Sequence, residues 1–481
     1  MAADRTISKL ALLSDDKITA ITDTALRILC DIGVKILDEE VLRLLADTPG
    51  TAQDPGQCIV RFSPELVHAS LAAAPRSYSL FGRDGKRKAA YGCGGMIFKS
   101  TPGDPLWADP LTGTWREPTL SDLRQAIDVG DALPNIDIVG AMAHPAEVPE
   151  PVRAIVLVAE LMKRTRKPVR VWVPDRASAR YIVEILCAVA GGSEALRRQP
   201  ITEQSLEPIS PLQIGPGLGP TLEFAAAGLP IVVGPIVQSM GTGPATLAGT
   251  IAQCIAEGLA AIVIIQRLQP GLPVALAAAC HPMDPRTMNI LYGSPEQGLL
   301  MAATTQVIKA LGLPAIANAG YTDAKVPDAQ AGMEKGMTAL MAALAGADSF
   351  APMGVTGTIG ASLPQLIIDD EMIGYLRRTA LGFEVTPETL AFEVVRRVGP
   401  GGNFLTDEHT LRHARREFWI PRLSDRDNYV TWQTKGRQTM LERAAARRDQ
   451  ILREHHPERL DEALEREIDR IVAAAGRQLL D

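Results

Sequence analysis

The sequence predicts an α/β protein built on a (β/α)8 TIM barrel, with an N-terminal helical region and a C-terminal helical extension. Three observations lead there. Short β-like runs recur eight times, amphipathic segments separate most of them, and the chain reads as helical again at both ends. Alternating strands and helices imply parallel strands joined by right-handed crossovers. Eight units match the barrel in number, and the span 91–360 matches its usual length. A doubly wound open sheet is the structural rival, but no nucleotide fingerprint accompanies these runs.

Residues 1–90 read as the N-terminal helical region. "DDKITAITDTALRILCDIGVKIL" places Ile18, Ile21, Ala25, Ile28, Leu29 and Ile32 at helical spacing. "EEVLRLLAD" is a further helix, as is "SPELVHASLAAAP", with Ser63 as cap and Pro64 in the first turn. The barrel runs follow in order: "MIFKST" near 96, "IDIVGAMA" near 136, "VRVWV" near 169, "EPISPLQ" near 207, "PIVVGPIV" near 230, "PVALAAA" near 273, "PAIANA" near 314 and "SFAPMGV" near 349. The first connection includes a hairpin, "LWADPLTGTWRE", turning at Thr112 and Gly113. The fourth, "GPGLGPTLEFAAAG", leaves room for only a short helix. Residues 361–481 form the helical extension, where "ERLDEALEREIDRIVAAAG" pairs opposite charges beside one apolar stripe. Such a helix docks on the barrel or on a partner subunit, so a homo-oligomer is open.

Composition narrows the function classes. The chain has 481 residues, 46% of them hydrophobic, which is ample for a sizeable core. A formal charge of −7 without a long basic block disfavours nucleic acid or an anionic membrane as partner. Six scattered cysteines lack the spacing of a zinc or disulfide framework. "MAADRTISKLALLSDD" has early acids and no long apolar stretch, so no signal peptide is expected. The most apolar stretch, Leu259 to Ile265, is too short to span a bilayer, and a cytoplasmic location is expected.

A barrel works at the C-terminal ends of its strands. The residues found there are His144, Pro174 with Asp175, Ser210, Gln238, Ser239, His281 with Arg286, then Tyr321, Asp323 and Lys325, and last Gly354 and Thr356, while Trp172 lies within the third strand. Polar residues also follow strands simply because loops are exposed. His144 and His281 line the site or are hydrogen-bonded core histidines, and their separation does not suggest a zinc site. "QSMGTGPATLAG" sets glycines before a helix whose free N–H groups suit an anion. Asp369, Asp370 and Glu371 read as acids at a helix start.

Several long strings in one order resemble the trimethylamine methyltransferase family of corrinoid-dependent enzymes. They include "DPLTGTWREPTLSDL", "GPATLAGTIAQCIAEGLAAIV", "HPMDPRTMNILYGSPE", "GYTDAKVPDAQAGMEK" and "VGPGGNFLTDEHTLRHARREFWIPRLSDRDNY". The resemblance implies a barrel whose rim binds a methylated amine, and transfer of one methyl to the Co(I) of a corrinoid (cobalamin) held by a separate protein. Archaeal trimethylamine enzymes carry pyrrolysine in the site. This sequence has none, and the corresponding place falls in the "GYTDAK" loop, at or beside Tyr321. It is therefore similar to the non-pyrrolysine branch, with glycine betaine-like quaternary amines as substrates.

A quaternary nitrogen is already positive, so its methyl can be displaced in line with no general acid, and positioning plus electrostatics suffice. Aromatic faces contribute about 0.5–2 kcal/mol each to holding such a cation. The candidates are Tyr321, Trp172, Tyr292 and Phe350, with Trp107 and Trp115 as packing residues of the hairpin. A betaine carboxylate needs donors, which His281, Arg286, Lys325 or the amides from Ser239 to Gly243 can supply. Asp323 and Lys325 can equally be an ion pair fixing their loop. Corrinoid carriers of the usual type use D-x-H-x-x-G, whereas "DEHTLR" at 407–412 lacks the glycine, so the corrinoid is expected on a partner. Two rival functions are a barrel lyase or hydrolase with a histidine base, and a non-catalytic betaine-binding protein.

Overall fold

The computed structural model describes residues 5–6 and 10–480, so residues 1–4 and 7–9 of the opening stretch that bears on a signal peptide lie outside the described residues. Eight short parallel strands form the centre: β1 (97–100), β2 (Val139–Gly140), β3 (Val169–Arg170), β4 (Gln204–Leu206), β5 (Ile231–Val233), β6 (Val274–Ala278), β7 (Ala315–Ala317) and β8 (Ser349–Phe350). Their pairings run in sequence order, with Lys99 on Ile138, Val139 on Val169, Val169 on Thr202, then β4 to β8 as one sheet. Ile97 pairs with Ser349 and closes the ring. The barrel leaves no open sheet edge.

Seven of the eight strands fall on the runs read from the sequence. The fourth lies just ahead of its run: β4 is "QSL", and "EPISPLQ" is already loop apart from Gln213. The true strand is only three residues long and polar at Gln204 and Ser205, so composition gives it little β-like signal. A helix follows every strand, and the one after β4, Leu218–Ala226, is indeed short at 9 residues. Leu363–Ala380 is the eighth of these helices, so the repeat runs past residue 360.

The helix after β5, Leu247–Leu268, is the longest at 22 residues, and every residue from Thr250 to Gln266 is buried. By length and composition alone it could cross a membrane. Here it is apolar all round because two layers cover it: the barrel on one side, and the helices Asp15–Arg27 and Pro64–Ala73 on the other. Each fully buried Leu, Ile or Val adds about 1.5–3 kcal/mol. Covering this helix is thus the main packing task of the N-terminal region.

That region carries the expected helices, and Ser63 caps one of them by accepting from the Leu66 N–H. It also carries strands. Val34–Ile36, Thr51–Asp54 and Ile59–Phe62 form a sheet that Gln213–Ile214, from the loop after β4, joins in parallel. A hairpin of Tyr78–Phe81 and Arg87–Tyr91 closes the barrel floor. Its Tyr78, Leu80, Ala89 and Tyr91 pack on the inward Ile97, Ile138, Val232, Ala275 and Ile316. At the other end of the chain, Met440–Glu454 packs on the first and eighth barrel helices, and Glu462–Leu479 on the second and third.

The hairpin in the first connection forms as expected, with Leu106–Asp109 on Thr114–Arg116 and Gly113 at φ 71°. The acids expected at a helix start lie inside the eighth helix as buried ties. Asp369 accepts from the Gly354 N–H and Lys335, Asp370 from the Asn135 N–H, and Glu371 from the N–H groups of Arg422 and Ser424. The helix begins six residues before that triplet, at Leu363, with Ser362 and no acid at its N-cap position.

Candidate functional site

Side chains alternate along a strand, so one face of each barrel strand points to the helices and the other inward. Val169, Val171, Leu206, Val237, Ala317 and Ala319 are buried against the helices. Their inward neighbours Arg170, Trp172, Ser205, Glu207, Ile236, Gln238 and Asn318 are all at least partly accessible. These inward positions are accessible toward the C-terminal end, while inward Ile97, Ile138, Val232, Ala275 and Ile316 nearer the hairpin are buried, so a shaft enters the barrel from its C-terminal end and stops short of the floor. The hairpin closes the other end.

At the upper wall three rings stand in series. The Tyr292 ring lies 4.6 Å from His281, tilted, and 5.2 Å from Tyr321, edge to face. Burial above all, then the through-space action of Asp104, Tyr292 and Glu207, holds the Tyr321 hydroxyl well above the usual tyrosine pKa, while Arg170 opposes them. Asp104 is buried, its Oδ2 has no hydrogen-bond partner, and burial lifts its pKa to about 7. Burial also raises the Glu207 carboxyl, against the pull of Arg170. Burial lowers His281 to about 4, so its ring is neutral near pH 7, and its Nδ1 has no partner. The mouth thus combines aromatic rings, two carboxylates held reluctant to ionise, and a neutral imidazole. A cation is the ligand that this set lacks.

The stretch "NAGYTDAKVPDAQAG" is dense because neighbouring elements hold it from several sides. Gly320 has φ 97°, and a Cβ there would lie 2.9 Å from the Met353 methyl, so only glycine turns the chain into Tyr321. Its carbonyl accepts from Lys335 at 2.8 Å, and its N–H donates to Thr338 at 3.1 Å. Lys335 in turn pairs with Asp369 at 3.1 Å, with both side chains buried. Glu334 accepts from the Thr322 hydroxyl and the Asp323 N–H. Asp323 accepts from the N–H groups of Tyr292 and Gly293, which ties this loop to the one after β6.

Of the residues singled out from the sequence, Tyr321, His281 and Trp172 belong to the shaft or its lip. His144 backs the loop after β1: a Cβ on Gly103 would sit 2.2 Å from its Nε2, and its N–H donates to the Asp104 carbonyl. Asp323 positions Tyr292 by its backbone, and faces no ion pair with Lys325. The exposed Lys325 donates instead to the Asp323 carbonyl. Arg286 stays outside, with its side chain 86% exposed and paired to Asp284 two residues earlier. Ser239 is buried against Thr250, 2.9 Å between hydroxyls, and fastens the start of the long helix. The nearby amides offer no anion cradle, because Gly241, Thr242 and Gly243 all donate to the Gln238 carbonyl. Phe350 stacks on Phe98 at 4.5 Å in the packed core, away from the shaft.

Asp104, Glu207 and Arg170 were missed. Glu207 was hidden by the misplaced fourth strand, which made it a strand residue when it is a strand-end residue. Asp104 follows β1 by four positions and was passed over for the hairpin beyond it. Arg170 sits inside a strand, and its role emerges only from Glu203 and Ser205 on the next strand, at 3.3 and 2.7 Å.

Around the mouth, six of the βα loops each carry one large, exposed apolar side chain: Leu111, Ile209, Met240, Met288, Val326 and Ile359. Single exposed apolar residues need no explanation, but a ring of them on one rim does.

Comparison with known proteins follows this geometry. The sequence profile described as "Trimethylamine methyltransferase (MTTB)" matches residues 2–479. A glycine betaine methyltransferase of Desulfitobacterium hafniense (strain Y51) is 30% identical, over 98% of each chain. A trimethylamine methyltransferase, MttB, of Desulfitobacterium hafniense (strain DSM 10664 / DCB-2) is 31% identical, over 95% of this chain and 92% of its own. Among solved structures, the monomethylamine methyltransferase MtmB of Methanosarcina barkeri superposes with a TM-score of 0.54 at 12% identity, covering 93% of this chain and 90% of its own. That last likeness concerns the fold.

Proposed function

The chain belongs to the trimethylamine methyltransferase family, and from that premise we propose that this methyltransferase takes a methyl group from a quaternary amine of the glycine betaine class and passes it to the Co(I) of a corrinoid on a separate protein. The observation that carries the choice of substrate is the buried Asp104 carboxyl, which Thr101 bonds but whose Oδ2 has no partner, close enough to Tyr321 to act on its hydroxyl, with the Tyr292 ring packed against Tyr321. A fixed positive nitrogen placed there gains cation–π attraction and restores the counter-charge that burial denies to Asp104.

The step needs no proton. The methyl–nitrogen bond breaks with its electron pair staying on nitrogen, which leaves as a neutral tertiary amine. The acceptor's electron pair forms the new bond to carbon, so Co(I) becomes methyl-Co(III). The corrinoid enters as a co-substrate on its carrier, and this chain's residues hold and aim the amine. Positive charge on nitrogen is lost toward the transition state, so carboxylates that ionise only reluctantly bind the substrate without trapping it. Arg170, partly accessible in the shaft, takes the carboxylate end of a betaine, the task expected of Arg286 and Lys325. The apolar ring on the rim suits a carrier that must seat over the mouth and leave again.

A histidine-base mechanism finds little support, because His281, held at about 4, is a weak base near neutral pH, and burial lowers His144 too. The test is direct. Purified protein, a reduced corrinoid carrier and a series of quaternary and tertiary amines are mixed, and conversion of the Co(I) spectrum to methyl-Co(III) is followed. Methylation from quaternary but not tertiary amines is the expected result. Methylation from trimethylamine alone, or from no amine with a competent carrier, would overturn the reading.

A further inference from the structure

Beyond the eighth barrel helix the chain forms three short helices, Pro387–Leu390, Phe392–Val398 and Glu408–Glu417. His409 and His413 stand four residues apart on the last of them, so they share one face. Both are half-buried, and their rings lie 4.3 Å apart, tilted by 31°. A carboxylate reaches the same place from a different element. Glu388, on the first of the three helices, sets its Oε1 3.3 Å from the His413 Nε2. The His409 Nε2 is buried and has no hydrogen-bond partner. A purely hydrogen-bonded cluster would leave no such nitrogen, and its N–H to O spacing would fall at about 2.7–3.2 Å. Two ligands of one tetrahedral zinc ion, each about 2.0–2.1 Å from the metal, stand roughly 3.3 Å apart.

We propose that His409, His413 and Glu388 bind a zinc ion, with the fourth position left to water. Two imidazoles and a carboxylate are a set that zinc accepts, and a histidine pair four apart on one helix supplies two ligands already on one face. Among the described residues no three His, Cys, Asp or Glu side chains are already closed around a metal position. The helix fixes the two histidines, and Glu388, whose side chain is 63% exposed, has the freedom to close on the ion. Arg412 is the competing cation, 3.9 Å from Glu388, but it too is exposed and can turn to solvent. Asp407 is not a ligand, because Arg397 and the His409 N–H claim its two oxygens. The site has a structural use. None of the three helices contains a buried residue, and helices this short are unstable without outside support. A metal joining Glu388 to His409 and His413 closes the chain between them, and its binding energy becomes folding energy for the segment. No residue of this site belongs to the shaft, so the inference stands independently of the substrate reading.

Calorimetric titration of zinc into the full chain, first stripped with a chelator, tests the site. The expected result is one zinc per chain, bound at least about tenfold more weakly by His409→Asn and by His413→Asn. Glu388→Gln should weaken it in the same direction. A chain that takes up no zinc at micromolar metal overturns the proposal. So does zinc that the double variant His409→Asn/His413→Asn binds undiminished, since the metal then sits elsewhere, for example at His455 and His456. If the double variant fails to fold, hydrogen exchange of the wild type with and without zinc decides. Slower exchange across residues 387–417 on adding zinc, with the barrel strands unchanged, supports the site. Exchange there that zinc leaves unaltered overturns it.

Discussion

Glu203 and Asp104 are both buried carboxylates inside the same barrel, one toward its floor and one at its mouth, and the fold provides for them differently. Glu203 accepts from the hydroxyls of Tyr78 and Tyr91 at 3.0 Å each, and from Lys99 and Arg170 at 3.4 and 3.3 Å. Asp104 has an oxygen with no partner at all. A satisfied buried carboxylate fixes structure, whereas an unsatisfied one is a standing demand for something that arrives later. The closed end of the barrel is completed by the chain, and the open end keeps a carboxylate oxygen unpaired, as the proposed amine site requires.

The comparison can be broken most forcefully at the floor. Glu203→Gln leaves the buried Lys99, and the partly accessible Arg170 beside it, without their counter-charge, and a stability loss of about 3–5 kcal/mol in chemical denaturation is expected. A loss under about 1 kcal/mol would mean that the floor network is no more than packing. The matching change at the mouth, Asp104→Asn, should leave stability equal or slightly higher, since it removes a carboxylate that burial disfavours. Its effect is expected in turnover, as a fall in kcat/KM of roughly tenfold to a hundredfold, about 1.4–2.7 kcal/mol. If both variants simply unfold, the distinction between the two ends fails.

Acidity sharpens the same contrast. The Asp104 pKa is raised to about 7, so the folded protein holds that proton up to near neutrality. Only the ionised form attracts a cation, so betaine affinity should climb as pH rises through about 7 and flatten above 8. Calorimetric titrations from pH 6 to 8.5 would show this, and Asp104→Asn should erase the slope. A flat profile in the wild type would separate Asp104 from the ligand. A smaller effect is expected at Tyr321: Phe keeps the ring and changes affinity little, whereas Ala loses about 1–2 kcal/mol of cation attraction in the same titration. Smallest of all, Arg286→Ala should alter kcat/KM by less than about twofold, because its exposed pair with Asp284 touches nothing in the shaft.

What the sequence alone determined is the repeating part of the protein. Apolar runs such as "PIVVGPIV" and "PVALAAA", spaced by amphipathic helices, announce parallel strands because each must be buried on both faces, and local composition carries that requirement. The position of Tyr321 at a strand end was legible for the same reason. Only the tertiary structure decided which rim residues meet. Arg286 and Lys325 lie on the right loops, but an adjacent carboxylate and an adjacent carbonyl claim them before they can reach inward. Asp104, Glu207 and Arg170 come from three different strands, so only closure of the ring brings them together. Side-chain direction and charge environment are set by contacts between residues distant in the chain, and no local pattern records those.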